Sequence, residues 1–221
     1  FSAGDEAVHH RYPPITGQSE ITTDPFQLGR IAAVHALSDL YAANAVPQHA
    51  LAIINMAPAR NDLQRHHLTQ LMAGSLLALA DARTLLVGGH TSETDATSAG
   101  FAITGTRACA PTPPRLEQDP VLLITKPVGT GVIMAGGMRL DAHGDWVTAA
   151  LNSMALGNRT AANILQPDNP MMTDVTGFGL ARHALNLAER CGFTGVEITL
   201  STIPLLPGTR ILLEQGIRST L

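Results

Sequence analysis

The chain reads as an α/β (α+β) protein built in two lobes, and three observations carry that class. Short apolar runs bounded by Gly or Pro alternate with longer segments whose apolar residues recur every three or four positions, the pattern of strands interleaved with amphipathic helices. A proline-rich connector at residues 109–114, Cys-Ala-Pro-Thr-Pro-Pro, interrupts that alternation and is the best domain boundary in the chain. The length of 221 residues suffices for one large core or two small ones. The expected division is an N-terminal lobe at 1–112 and a C-terminal α/β lobe at 113–221.

The elements follow in order. Residues 1–24 are irregular, broken by Pro13-Pro14 and a polar stretch. Asp24-Pro25 supplies a cap and a first-turn proline for a helix to about Asn44, with Ile31, Val34, Leu37, Leu40 and Tyr41 as its buried stripe. Val46-Pro47 is expected to end that helix, and the apolar run 50–56 predicts a strand covered on both faces. Asp62 is expected to cap a second helix, whose stripe is Leu68, Leu71, Met72, Ser75, Leu76 and Leu79. Residues 84–87 read as a strand emptying into a Gly88-Gly89-His90-Thr91 turn, and 101–104 as a further strand. Past the connector come a strand at 121–125 and a helix opened by Gly129-Thr130-Gly131. Helices at 146–165 and about 178–191, a strand at 195–200 and a short helix at 206–216 complete the series.

Composition removes several classes. A net charge of −4, a pI near 6.1 and no run of Lys or Arg leave no footprint for nucleic acid. Charged residues make up 14%, well under the usual quarter, so an apolar face covered by a partner subunit is expected. Cys109 and Cys191 stand far apart in no metal-ligand spacing, which suits a reduced, cytoplasmic compartment. The pairs His9-His10 and His66-His67 are adjacent, so their side chains diverge and do not ligate jointly as an i, i+4 pair does. No apolar run reaches the roughly 20 residues of a membrane span, and no signal peptide is visible. The first residue is Phe1 rather than Met, which predicts a piece of something longer.

The chemistry concentrates in Met-Met-Thr-Asp-Val-Thr-Gly-Phe-Gly-Leu, residues 171–180. Asp174 is expected at a strand end beside the exposed N–H groups of a helix start, where the amides attract phosphate and a carboxylate holds its cation. Glycine-rich turns of this kind also arise for steric reasons alone. Asp39 sits in a helix of mostly Ala, Leu and Ile, one turn after His35. It reads either as a solvent-facing acid or as a covered carboxylate that needs a cation beside it. Gly88-Gly89-His90-Thr91 reads either as a tight turn or as an amide nest for phosphate. Lys126, before a proline, reads first as an exposed surface lysine. The Walker ending, the GxGxxG fingerprint and the nucleophile elbow are all absent. The residues alone predict an anionic, phosphate-bearing ligand held through magnesium by two or three carboxylates.

Four blocks then make a resemblance. They are Asp24-Pro25-Phe26 through Ser38-Asp39-Leu40-Tyr41-Ala42; Leu86-Val87-Gly88-Gly89-His90-Thr91; Thr125-Lys126-Pro127-Val128-Gly129-Thr130-Gly131; and Thr173-Asp174-Val175-Thr176-Gly177-Phe178-Gly179. In this order they resemble selenophosphate synthetase (selenide, water dikinase), of the superfamily that includes aminoimidazole ribonucleotide synthetase and thiamine monophosphate kinase. The resemblance implies a two-lobed fold whose N-terminal lobes pair into a β-barrel in a homodimer, with a C-terminal lobe incomplete here. It implies the reaction of selenide, ATP and water to selenophosphate, AMP and phosphate. It implies that Asp39, Asp174 and, more weakly, Asp5 bind Mg2+, and that Asp39, Gly89, His90 and Thr91 contact ATP. Asp39 and Asp174 are thereby expected to meet in one pocket. The family's reactive Cys or selenocysteine and its Lys are expected upstream of Phe1, so this piece alone is expected to be inactive. Its Thr-Asp-Phe-Phe strand has no clear match, which leaves a second expectation, a non-catalytic dimeric scaffold, and a third, a sister small-molecule kinase.

Overall fold

The computed structural model describes residues 6–11, 15–16, 21–107, 109–114 and 120–219. They form two compact units. The first takes the chain up to Tyr41, Ala45–Cys109 and Met154–Arg159, and the second takes Ala42–Asn44, Ala110–Ser153 and Thr160–Leu221. The architecture is mixed α/β, as the alternation of periods predicts.

The first unit is a sheet with two long helices. Strands β1 (Glu6–Arg11), β2 (Ile15–Thr16), β3 (Val46–Met56), β4 (Leu85–Glu93) and β5 (Ser98–Arg107) form one sheet in the order β1-β5-β3-β4, with β2 also on β5. Among the described residues only the β3–β4 pair of this sheet is parallel, and the helix α2 (Asn61–Asp81) makes its crossover, so β3-α2-β4 is a βαβ unit beside antiparallel pairs.

Helix α1 (Pro25–Ala42) starts where the Asp24-Pro25 pair predicts. The Asp24 carboxylate accepts from the Phe26 amide at 2.9 Å and the Gln27 amide at 3.4 Å, satisfying donors that the first turn leaves over. All five stripe residues, Ile31 to Tyr41, are buried. The chain leaves the helix at Asn44 with φ of 54°, and strand β3 begins at once. Val46-Pro47 therefore opens a strand rather than merely ending a helix. Pro47 is tolerated there because it lies next to a register shift before His49. Strand β3 is also covered on one face rather than two: Ala50, Ala52, Ile54 and Met56 are buried, while Leu51 is 47% exposed.

Helix α2 departs from expectation at its cap and its stripe. Arg60 occupies the cap position without a side-chain cap bond, and Asp62 lies inside the first turn, 3.0 Å from the Arg60 guanidinium. A carboxylate already within the helix has no route back to cap it. The buried face runs through Leu71, Gly74, Ser75, Ala78 and Leu79, leaving Leu76 47% exposed. Two glycines explain the choice. A Cβ on Gly74 would collide with the Phe26 carbonyl, and one on Gly29 with the Leu71 carbonyl, so α1 and α2 cross with backbones in contact.

The second unit is mostly helical. Gly129, at φ of 126°, turns the chain into α3 (Thr130–Met138), where a side chain would strike Thr209. The helix expected at 146–165 is two, α4 (Gly144–Ala155) and α5 (Arg159–Leu165), because Leu156-Gly157-Asn158 breaks it. Residues 154–159 belong to the first unit, and within it Asn158 donates to the Ser38 hydroxyl at 2.9 Å and the Arg159 guanidinium donates to the Asp81 carbonyl. Helices α6 (Gly179–Arg190) and α7 (Thr209–Glu214) follow, α7 shorter than the expected 206–216 because Gly208, at φ of 82°, sets its start against the Trp146 ring. Ile133, Ala135, Ala150, Leu206, Leu212 and Ile217 make this unit's core, with Trp146 and Val147 against it. The strands expected at 121–125 and 195–200 do not form: neither segment has a ladder partner among the described residues, and Val121 and Leu123 are 81% and 71% exposed. What remains of sheet pairing here is two isolated bridges, Thr112 with Pro170 and Val128 with Leu205.

Candidate functional site

Asp39 is in the last turn of α1, half-buried, with one carboxylate oxygen, Oδ2, wholly shielded from solvent. The reading of a solvent-facing acid is therefore overturned for that oxygen. Two buried polar side chains lie close to it in sequence on the same helix. Ser38, 8% exposed, donates to the Val34 carbonyl at 3.2 Å and accepts from Asn158. Tyr41, 6% exposed, has its phenol pushed up to about 12, because burial disfavours the phenolate more than the nearby Arg159 charge favours it.

Gly88-Gly89-His90-Thr91 is not a turn. All four residues lie within β4, with Gly88 to Thr91 opposite Leu51 to Ile54. The glycines serve close approach: a Cβ on Gly89 would collide with the Ala52 carbonyl, and the ladder slips by one residue between Ala50 and Leu51. Amides engaged in a parallel ladder are not a flexible nest, so any ligand contact here comes from side chains and strand-edge groups. The His90 and Thr91 side chains are exposed. Thr91 lines an open cleft of about 420 Å³ with Met56, Asn61, Gln64, Arg65, Leu68, Ser92 and Glu93. Arg65 and Asn61 were not singled out in the sequence. Their polar positions on the outer side of a helical stripe look like ordinary surface until β4 is placed beside them. Behind the cleft, Ser92 donates to Asn55 Oδ1 at 2.6 Å and Asn55 donates to Ser98 at 2.9 Å, a polar line crossing β4, β3 and β5.

Asp174 lies in the second unit, in an extended segment between Pro170 and α6 rather than at the end of a strand. A strand needs a neighbour, and beyond the Pro170 bridge no ladder reaches this segment among the described residues. The carboxylate is half-buried, and its Oδ2 is shielded with no hydrogen-bond partner among the described residues. A buried carboxylate oxygen left unpaired is costly and is what a bound cation relieves. The residues present thus fit a hard divalent ion. Among the described residues there is no group of three or more His, Cys, Asp or Glu able to hold a metal.

The loop carrying Asp174 is fastened by His183, one turn into α6. The Thr176 amide donates to His183 Nε2 at 3.2 Å, the Thr176 hydroxyl lies 3.3 Å from the same nitrogen, and the Thr173 hydroxyl lies 3.3 Å from Nδ1. Gly179, at φ of 79°, lets the chain turn into α6, and its amide donates to the Thr176 carbonyl at 2.9 Å. Lys126 is half-buried rather than exposed. Its ammonium donates to the Ser153 carbonyl at 3.1 Å, and burial pulls its pKa below the ordinary lysine value. Asp5 lies outside the described residues.

Residues 5–108 match the family described as AIR synthase related protein, N-terminal domain. A selenide, water dikinase of Geobacter metallireducens is 37% identical over 206 residues, covering 89% of this chain and 57% of that protein. One from Nitratidesulfovibrio vulgaris is 34% identical over 208 residues, covering 89% and 56%. The chain thus spans little more than half the length of these relatives. Among solved structures, thiamine-monophosphate kinase from Stenotrophomonas maltophilia superposes with a TM-score of 0.79 at 16% identity, covering 97% of this chain and 70% of that one. HypE of E. coli, a hydrogenase maturation protein, gives 0.69 at 16% identity, covering 97% and 67%. At such identities these two report the fold alone, and the fold agrees with the family match. Residues 5–108 thus match the AIR synthase related N-terminal domain, and relatives of the chain at 33–37% identity are named selenide, water dikinases.

Proposed function

We propose that the full-length protein is a selenide, water dikinase, forming selenophosphate from selenide, ATP and water with release of AMP and phosphate. The observation that carries this reading is 37% identity to a protein of that name over 89% of the chain, spanning all four sequence blocks. Asp39 and Asp174 are proposed as magnesium ligands, and the shielded Oδ2 of each supports that role. Bound magnesium supplies charge neutralisation of the triphosphate, the main electrostatic need of phosphoryl transfer. The chain's own part is to hold those carboxylates in place and out of bulk water. Asp39, Gly89, His90 and Thr91 are proposed to contact the nucleotide, His90 and Thr91 through exposed side chains on β4. Asp5 is proposed as a further magnesium ligand on the strength of the sequence block alone.

Pairing with a second copy is proposed through the sheet of the first unit. Among the described residues strand β4 is an edge, Leu85 and Val87 on it are 65% and 58% exposed, and an open apolar edge invites a partner. No helix among the described residues is long and apolar enough to cross a membrane, and a cytoplasmic location is proposed from the sparse cysteines.

The deciding assay mixes the full-length protein with ATP, magnesium and selenide and follows AMP and phosphate. Selenide-dependent AMP release is expected. Phosphorylation of a thiamine phosphate instead would move the protein to a sister kinase, and magnesium-dependent nucleotide binding absent from a folded protein would make it a scaffold.

A further inference from the structure

We propose that His183 is a positioning residue for Asp174, holding the loop 173–176 as a neutral imidazole protonated on Nδ1. The inference rests on the reading of Asp174 as a magnesium ligand and goes beyond it to a residue outside the four blocks that carry the resemblance.

The geometry fixes the tautomer. A backbone N–H only donates, so the Thr176 amide at 3.2 Å requires a lone pair on Nε2. The ring proton of a neutral imidazole then sits on Nδ1, where the Thr173 hydroxyl accepts it at 3.3 Å. One side chain on α6 thereby grips the loop on both sides of Asp174, one residue before it and two after. Helix α6 runs from Gly179 to Arg190 and buries Ala184 and Ala188, so His183 stands on a packed, rigid element while the loop has no sheet ladder of its own. Without the imidazole, the Thr176 amide loses its acceptor, and among the described residues the segment bearing Asp174 keeps the turn bond from Gly179 to Thr176 and the 3.5 Å bond from the Thr173 hydroxyl to the Asp174 carbonyl. A carboxylate whose backbone wanders loses affinity for a small, geometrically demanding ion even though the ligand atom itself is untouched. The Thr176 amide is also turned to the ring, so it is not among the donors open to a phosphate.

The test titrates the full-length protein with magnesium and the ATP analogue AMPPCP by calorimetry, comparing wild type, His183→Ala, His183→Gln and Asp174→Asn. His183→Ala is expected to weaken magnesium-dependent binding about 10- to 100-fold, the effect typical of groups that orient a metal ligand. His183→Gln returns most of that affinity, because its amide oxygen accepts from Thr176 at the place of Nε2. In 15N-resolved spectra the signal lost in His183→Gln should show a protonated Nδ1 and a bare Nε2. Full affinity in His183→Ala with affinity lost in Asp174→Asn overturns the proposal and spares the metal reading; undiminished affinity in Asp174→Asn overturns the metal reading itself. An Nε2-protonated ring also overturns the proposal, and this readout holds even if the alanine variant does not fold.

Discussion

Tyr41, near the C-terminal end of α1, keeps its phenol proton up to about pH 12, since burial outweighs the help that Arg159 gives the phenolate. An unfolded chain releases that proton near 10, so between about pH 10 and 12 the unfolded state binds fewer protons than the native one. Stability should therefore fall with rising pH across that window, and Tyr41→Phe should flatten the decline. Absorbance titration of the two tyrosines should resolve one late phase that the variant lacks. Asp174 raises the opposite issue. Its shielded Oδ2 lacks a partner among the described residues, so Asp174→Asn should melt at or above the wild-type temperature without nucleotide while binding magnesium nucleotide more weakly. A lower melting temperature with unchanged affinity would make Asp174 structural. The sequence blocks single out Asp39 and Asp174 as candidates. His183 is not among them, because a histidine on a polar helix face carries no sign of the loop that folds back onto it.

At the scale of elements, contacts between backbones set the packing of the first unit. Gly74→Ala places a methyl against the Phe26 carbonyl, and no rotamer relieves a clash at Cβ. The expected loss is about 3 kcal/mol, at the upper end for overpacking, read as a fall in denaturant midpoint at constant slope. Asp24→Ala, which removes two amide acceptor bonds at the start of α1, should cost about 1 kcal/mol. The two positions also mark what the sequence could and could not disclose. Capping is local, so Asp24-Pro25 announced its helix, and the periodic stripe of α1 was buried as expected. Register and pairing are not local. Gly88-Gly89 resembles a turn in sequence and is a point of close approach inside β4. Residues 121–125 and 195–200 have strand composition and no ladder partner among the described residues. The break at Leu156-Gly157-Asn158 is fixed by Asn158 and Arg159 reaching Ser38 and Asp81, far away in sequence.

At the scale of the molecule, the fold class was legible because alternating periods leave few architectures. The family was legible because four blocks stand in order. Function is carried by the proposal that Asp39 and Asp174 are each magnesium ligands for bound nucleotide. Titration calorimetry of the full-length protein with AMPPCP, in magnesium and then in chelator, tests this most directly when Asp39→Asn and Asp174→Asn are run beside wild type. The account predicts binding that vanishes in chelator and weakens at least about tenfold in each variant, in line with the loss of a charged ligand from a metal site. Tight binding that ignores magnesium, or that survives in both variants unchanged, would contradict it.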